Sequence, residues 1–423
     1  MEEKVVRLKL KSGVYLTVIP AKQFKTVRVA INLIAQLKPE TQSKRLLLAN
    51  ILENSAADFP NQAEIARQLA TMYGAGFGVT VSRRGNSHSL SFILNCLNDT
   101  FSEQSLLDKG MNFLKQIIFH PLADKNEFEN ENFIREQQNL RQTIVSAADN
   151  KQLTAYLALQ KAYFTNPIQQ EPSFGTLAQL ATITASELWQ YYQCCLREDQ
   201  VEIIFLGDIT LQRARQLVEK LNFPARVELP ISPFYQQNWQ PKIRTNNFKQ
   251  TVTQSKLDLA FFLPVYYNQP EFMSALVFNA IFGGLPLSRL FVNVREKQGL
   301  AYYASSSFDS FRGVLTVQTG IDAVNQEKAQ ALIMQQLIEL QQAKISRQEL
   351  IDAKKMLIND YQSQLDSQSS QLSHALLTNL TGRRLNSADW EESISSVNVE
   401  QVAEIAQQAK LQASAYLQGM ADK

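Results

Sequence analysis

The order of secondary-structure signals runs through this chain twice, and that repetition constrains the fold more than any single motif. In the first half, residues 5–10 and 14–19 alternate apolar and polar side chains around Lys11-Ser12-Gly13, the pattern of a hairpin. Residues 27–35 read as a third strand, 44–57 and 61–72 as two helices, and 74–84 and 87–95 as a strand pair. Helical periodicity then dominates from 100 to 195, and a buried strand begins at Val201. The second half repeats this order. It has a strand at 256–263, a helix at 271–282 ended by Gly283 and Gly284, paired strands at 301–308 and 313–319, and helical stretches across 324–385. A sheet with one apolar face is completed by helices laid on that face. The sequence therefore predicts an α+β fold of two tandem duplicated domains, each a mainly antiparallel sheet covered by helices. Pro224, Pro230, Pro233 and Pro241 interrupt any helical period between the halves. The expected boundaries are 1–225, a linker at 226–245, and 246–423.

Bulk properties agree and narrow the function. A chain of 423 residues exceeds one ordinary core. Its 42 basic and 40 acidic side chains leave a formal charge of +2, so no global field gathers nucleic acid or an anionic membrane. No run of about 18 apolar residues predicts a transmembrane helix, and the charged start Met1-Glu-Glu-Lys has no signal-peptide core. Cys96, Cys194 and Cys195 form no disulfide framework and suit a reducing cytoplasm. The three histidines, His88, His120 and His374, are too far apart for a local metal motif. His120, ahead of Pro121, reads as a helix-end residue, and His88 and His374 read as surface residues.

The helical stretch after the third strand carries Asn50, Glu53 and Asn54 at i, i+3 and i+4. That spacing puts all three on one helix face. A His-x-x-Glu-His motif uses the same spacing to hold zinc and to aim a carboxylate at the bound water. Here both histidine positions are asparagine, and an amide is a poor zinc ligand beside imidazole or thiolate. By itself Asn-x-x-Glu-Asn is also what a solvated face of an amphipathic helix looks like.

Four further segments give the motif its context: Leu52-Glu53-Asn54 followed by Glu64-Ile-Ala and Tyr73-Gly-Ala-Gly-Phe-Gly-Val-Thr-Val-Ser82; Phe128-Glu-Asn-Glu-Asn132; Asn166-Pro through Phe174-Gly-Thr to Phe205-Leu-Gly-Asp208; and Leu287-Ser-Arg-Leu-Phe with Arg295-Glu-Lys-Gln-Gly-Leu-Ala-Tyr302. Together, in this order, they resemble the pitrilysin/insulinase metallopeptidases, in the branch similar to mitochondrial processing peptidase. The chain is most similar to zinc-less bacterial subunits of that family, which are usually paired with a zinc-bearing partner of the same fold.

The resemblance implies a set of roles. Active members add a distal Glu to the zinc site, and Glu129 matches it, with Glu131 the neighbouring option. Arg295 and Tyr302 match a pair that an opposing half lends to the catalytic half, to hold the substrate backbone and the developing oxyanion. Guanidinium and phenol donors suit that task. The plainer reading makes Arg295 part of a helix C-terminus capped by Gly299, and Tyr302 a strand core residue. Gly78, Val79 and Thr80 lie on a strand that accepts substrate in relatives, and Gly283-Gly284 lie where some relatives carry a glycine-rich loop. A bulge and ordinary helix-ending chemistry explain those glycines equally well. The resemblance implies no metal or other cofactor in this chain, zinc on the partner subunit only, a peptide or unfolded protein as substrate, and a dimer. A non-enzymatic peptide-binding or scaffolding protein is the alternative, and a peptidase with a rearranged metal site a third.

Overall fold

The computed structural model describes residues 5–228 and 230–420, which form two compact units. The first is built on a six-stranded sheet of β1 (Val6–Lys11), β2 (Val14–Pro20), β3 (Thr26–Gln36), β4 (Gly76–Arg84), β5 (Ser87–Leu97) and β8 (Gln200–Gly207). Its strand order is β1-β2-β8-β3-β5-β4, antiparallel except where β2 runs beside β8. The expected helical stretch after 100 is interrupted by a miniature hairpin, β6 (Ala123–Asp124) and β7 (Glu127–Phe128). Lys125 and Asn126 turn it with φ of 48° and 66°, the left-handed pair that a two-residue hairpin loop needs.

The second unit has a five-stranded sheet of β9 (Arg244–Thr251), β10 (Ser255–Phe262), β11 (Ala301–Asp309), β12 (Val314–Ile321) and β13 (Lys410–Met420). Its order is β11-β12-β10-β13-β9, antiparallel except for β13 beside β9. Position for position this matches β4-β5-β3-β8-β2, including the single parallel pair. The duplication inferred from sequence is therefore topological. Two of the strands, β9 and β13, lie outside the sequence expectation. β9 (Arg-Thr-Asn-Asn-Phe-Lys-Gln-Thr) is polar because it is an outer strand. β13 is diluted with alanine because Ala413 and Ala415 pack beneath a helix.

Each sheet buries both faces. In the first unit Val27, Val29, Ile31 and Leu33 of β3 point into a core shared with the helices α1 (Gln42–Asn54) and α3 (Leu106–Phe119). Their neighbours Ala30 and Ile34 point the other way, onto Leu372 and Leu376 of helix Gln368–Thr381. That helix comes from late in the chain, since residues 367–380 belong to the first unit. The second unit takes residues 146–172 in return. There α5 (Lys151–Tyr163) sets Leu159 and Tyr163 against Ala260, Val314, Ala413 and Ala415. The units are thus interleaved in sequence, and one crossing helix seals the second face of each sheet.

α1 is anchored by a buried charge. Arg45 is 1% exposed and pairs with Asp199 at 2.5 Å. Its other donors reach the Tyr191 hydroxyl at 3.0 Å and the Leu33 carbonyl at 2.9 Å. His88, expected at the surface, is instead buried inside β5, and His374 is half-buried. The alternation of β5 turns the His88 ring inward. Among the described residues neither of its nitrogens finds a partner, and burial beside the Arg45 and Arg83 charges lowers its pKa to about 3. In the second sheet burial raises the Asp258 carboxyl to about 7.

Arg45→Ala strands Asp199 without a counter-charge, and should cost about 3–5 kcal/mol in urea unfolding followed by near-UV circular dichroism. The apolar pair Arg45→Met with Asp199→Leu should recover much of that loss. Asp258 and His88 give opposite pH signatures. The raised carboxyl contributes stability at low pH that is lost as pH climbs from the ordinary carboxylate range through 7. The depressed imidazole contributes stability above its ordinary value of 6.5 that is lost as pH falls toward 3. Asp258→Asn should therefore raise the melting temperature at pH 8 and leave a profile that only falls on acidification. An unchanged temperature at pH 8 would place the Asp258 carboxyl in the ordinary range.

Candidate functional site

α1 forms because Leu47, Leu48, Ile51 and Leu52 repeat at helical spacing and fill the core beneath it. The opposite face presents Asn50, Glu53 and Asn54, all half-buried, as the spacing predicts. Their bonds are structural. Asn54 Nδ2 donates to the Asn50 carbonyl at 2.9 Å, folding the amide back on its own helix. Glu53 Oε2 accepts the Val79 N–H of β4 at 3.4 Å, tying α1 to the outer strand of the sheet. Burial raises the Glu53 carboxyl, the Val79 N–H opposes that rise, and the charge of Glu136 adds to it.

Glu129 does not reach back to this face as a free carboxylate. It opens α4 (Asn130–Ser146), where its oxygens accept the N–H groups of Glu131 at 3.0 Å and Asn132 at 2.8 Å. Those are first-turn donors that a helix leaves without backbone partners. Glu131 is exposed. The acidic group facing Glu53 is Glu136, one residue the sequence reading missed. It is 3% exposed and bonded to Arg135 Nε at 3.1 Å and Asn139 Nδ2 at 3.1 Å. Its signal was available, because seven residues separate it from Glu129, two turns along α4. Asn132 is also buried and donates to Ser55 Oγ directly after α1. Among the described residues no three His, Cys, Asp or Glu side chains come close enough to hold a metal ion. Two amides, one of them folded onto its own helix, and a carboxylate committed to capping do not fit tetrahedral zinc.

The second unit presents a different picture. Two π-helical segments, Ala280–Gly284 and Leu290–Lys297, flank β11. π turns are rare and are found frequently at functional sites. Gly283 lets them close on the strand, because a Cβ there would lie 2.7 Å from Ser306 N, Ser306 Oγ and Leu290 Cδ1. Gly284 is exposed, and a Cβ on it would strike Asn279. Packing thus accounts for this glycine pair.

The segment Leu290–Lys297 ends on a left-handed glycine cap. Gly299 takes φ of 59°, its N–H donates to the Arg295 carbonyl, and the Leu300 N–H reaches Val294 O, both at 3.1 Å. Arg295 stands on the last turn with its side chain 42% exposed, over the Phe291 ring at 4.6 Å and beside Glu296 at 3.4 Å. Tyr302 is 59% exposed and is no core residue. The register of β11 on β12 skips from Ala301–Ile321 to Tyr303–Gly320, so Tyr302 is the extra residue of a β-bulge. A bulge turns its side chain away from the regular alternation. The Tyr302 hydroxyl donates to Asp322 Oδ1 at 3.1 Å, which pushes the phenol pKa above its ordinary range. On β4, Val79 is buried, Gly78 half-buried and Thr80 exposed. A Cβ on Gly78 would sit 3.9 Å from Glu53 Oε1, an ordinary contact, so packing does not require that glycine.

One unit carries the Asn-x-x-Glu-Asn helix and its duplicate an exposed Arg295 and Tyr302. The family model described as the peptidase M16 inactive domain matches residues 182–357. The chain is 26% identical over 412 residues to the probable inactive metalloprotease YmfF of Bacillus subtilis, covering 96% of each. It is 25% identical over 277 residues to the non-peptidase homolog YmxG of Helicobacter pylori, covering 63% of this chain and 60% of that protein. The crystal structure of a conserved protein from Enterococcus faecalis is 39% identical, with a TM-score of 0.95 and full coverage of both chains. A peptidase M16 inactive domain from Pseudomonas fluorescens, at 19% identity and a TM-score of 0.82, shares the fold. The chain belongs to the M16 (pitrilysin/insulinase) metallopeptidase family and lacks the histidine pair of its zinc motif.

Introducing histidines tests whether this helix face can hold a metal. Asn50→His with Asn54→His should bind zinc weakly enough for a mild chelator to strip it, and should cleave no peptide. Because Glu129 caps α4, adding Glu129→Gln should leave the zinc affinity unchanged. A large further loss on that third substitution, read by competition with a chromogenic chelator, would show that Glu129 is a ligand.

Proposed function

We propose that this chain is the non-catalytic subunit of a zinc-dependent peptidase pair. Its partner is a homologous subunit that carries zinc, and its substrate is a peptide or an unfolded protein. In the pair it closes a peptide chamber and directs Arg295 and Tyr302 at the partner's reacting carbonyl. The observation that carries this reading is the contrast between the units. The zinc-motif positions Asn50, Glu53, Asn54 and Glu129 are half-buried, and Asn54, Glu53 and Glu129 have taken up hydrogen bonds that hold helices in place. Arg295 and Tyr302 remain exposed at a helix end and a bulge, where neither holds the core. The names of the relatives, inactive metalloprotease and non-peptidase homolog, support the loss of catalysis. The edge strand β4, with Gly78, Val79 and Thr80, is the segment on which a substrate strand would add, as peptides add to open sheet edges elsewhere. Three free cysteines and no helix long and apolar enough to cross a membrane among the described residues fit a place in the cytoplasm.

The second reading, a peptide-binding or scaffolding protein of the same fold, is favoured by one contact. Tyr302 already donates its only proton, to Asp322. Reconstitution separates the two readings. A zinc-bearing homologue should co-purify, and the mixture should hydrolyse peptides faster than that partner alone. Arg295→Ala or Tyr302→Ala should remove most of the gain, about 10²–10³ in turnover for a lost oxyanion donor, with association on gel filtration intact. Arg295→Lys should also fail in large part, because an ammonium does not reproduce a planar fork. Wild-type rates from both alanine variants in an intact complex would leave the scaffold reading standing.

A further inference from the structure

Among the described residues the Tyr302 hydroxyl makes one polar contact, to Asp322. A phenol has a single proton to donate. In this structure it goes to Asp322 Oδ1 at 3.1 Å, so the proton is committed to a carboxylate of the same chain. The arrangement is built by the backbone. Asp322 follows Ile321, the last residue of β12, whose register partner Ala301 directly precedes Tyr302. The bulge swings Tyr302 out of the ladder, and the turn Ala323–Asn325 stops Asp322 from continuing the strand. The Asp322 carboxylate does not cap that turn, although aspartate at such a position commonly does. It is left for the phenol.

We propose that Asp322 is a positioning residue that parks the Tyr302 hydroxyl in an off state. On this view the donor is released toward the scissile carbonyl only when negative charge develops there and outcompetes the carboxylate. The inference rests on the proposed role of Tyr302 in a peptidase pair. It adds to that role a restraint within this chain. No proton is transferred; one O–H···O bond is exchanged for another. The cost of leaving Asp322 falls on the step that builds the oxyanion, so it lowers kcat more than it changes KM. The raised phenol pKa is what a proton held by a neighbouring carboxylate produces.

Two measurements decide it. In the isolated chain, tyrosine labelled at Cζ reports the Tyr302 phenol by NMR titration, with Tyr302→Phe assigning the signal. Wild type should titrate above ordinary tyrosine, and Asp322→Ala should return it to the ordinary range. In the mixture with the zinc-bearing partner, Asp322→Ala should raise kcat by roughly three- to tenfold at similar KM, the scale of an ordinary net hydrogen bond, because solvent screens this exposed carboxylate. Asp322→Glu should restore the raised phenol and bring kcat back toward wild type. An ordinary phenol titration in wild type, or one unmoved by Asp322→Ala, overturns the proposal. So does a kcat that stays level or falls when Asp322 is removed. If instead Tyr302→Phe leaves turnover of the wild-type pair unchanged while the NMR shift is present, the contact exists and the peptidase-subunit reading is what fails.

Discussion

The buried pair of Arg45 and Asp199 is the contact on which the first unit depends. An unpaired guanidinium at 1% exposure would be very costly, so each of its donors must end on something. They end on the Leu33 carbonyl of β3, the Tyr191 hydroxyl and Asp199. Tyr191 lies on helix Ala185–Glu198, and Asp199 is the residue that ends it. One side chain therefore locks α1 to the sheet and to a helix more than a hundred residues away. With α1 so placed, the face bearing Asn50, Glu53 and Asn54 has only one direction in which to point. That direction brings Glu53 to Val79 on β4 and beside Glu136 on α4.

On that fixed helix an amide side chain behaves differently from the imidazole of a zinc motif. Imidazole at these positions would offer a nitrogen lone pair to a metal. An asparagine offers a short donor and acceptor, which finds the helix backbone one turn earlier. The acidic side chains nearby have partners of their own. Glu129 satisfies the first turn of α4, and Glu136 is enclosed by Arg135 and Asn139. The second unit keeps the same strand order but spends its irregularities differently. Two π segments, a tight glycine contact and a bulge deliver Arg295 and Tyr302 to the surface. Duplicated topology thus carries unlike chemistry, because topology follows from hydrophobic patterning and the side chains on the free faces do not.

Much of this was legible in the chain itself. Period-two alternation marked β1, β2 and β3, and the 3.6-residue period marked α1. The i, i+3, i+4 spacing was enough to place Asn50, Glu53 and Asn54 on one face. Gly299 was readable as a left-handed helix cap, and it is one. What escaped was whatever depends on partners far away in sequence. β9 and β13 lack an apolar run because one is an outer strand and the other lies under a close-packed helix. His88 looked like a surface residue because a single polar residue in an alternating strand does not say which face is buried. Tyr302 was readable as core or as exposed, and only the skipped register of β11 on β12 decides between them.

The sequence by itself determined the duplicated α+β architecture and the absence of a histidine pair. Both follow from local facts: the spacing of apolar residues along the chain, and the identity of the side chains on one helical turn. Only the tertiary structure decided that residues 146–172 and 367–380 each complete the other half's unit, that Glu129 is a helix cap, that Glu136 faces Glu53, and that the Tyr302 hydroxyl donates to Asp322. Each of these depends on a hydrogen-bond donor or a bare sheet face finding its partner in space. Which partner it finds is fixed by packing around the whole core, and no local pattern encodes it.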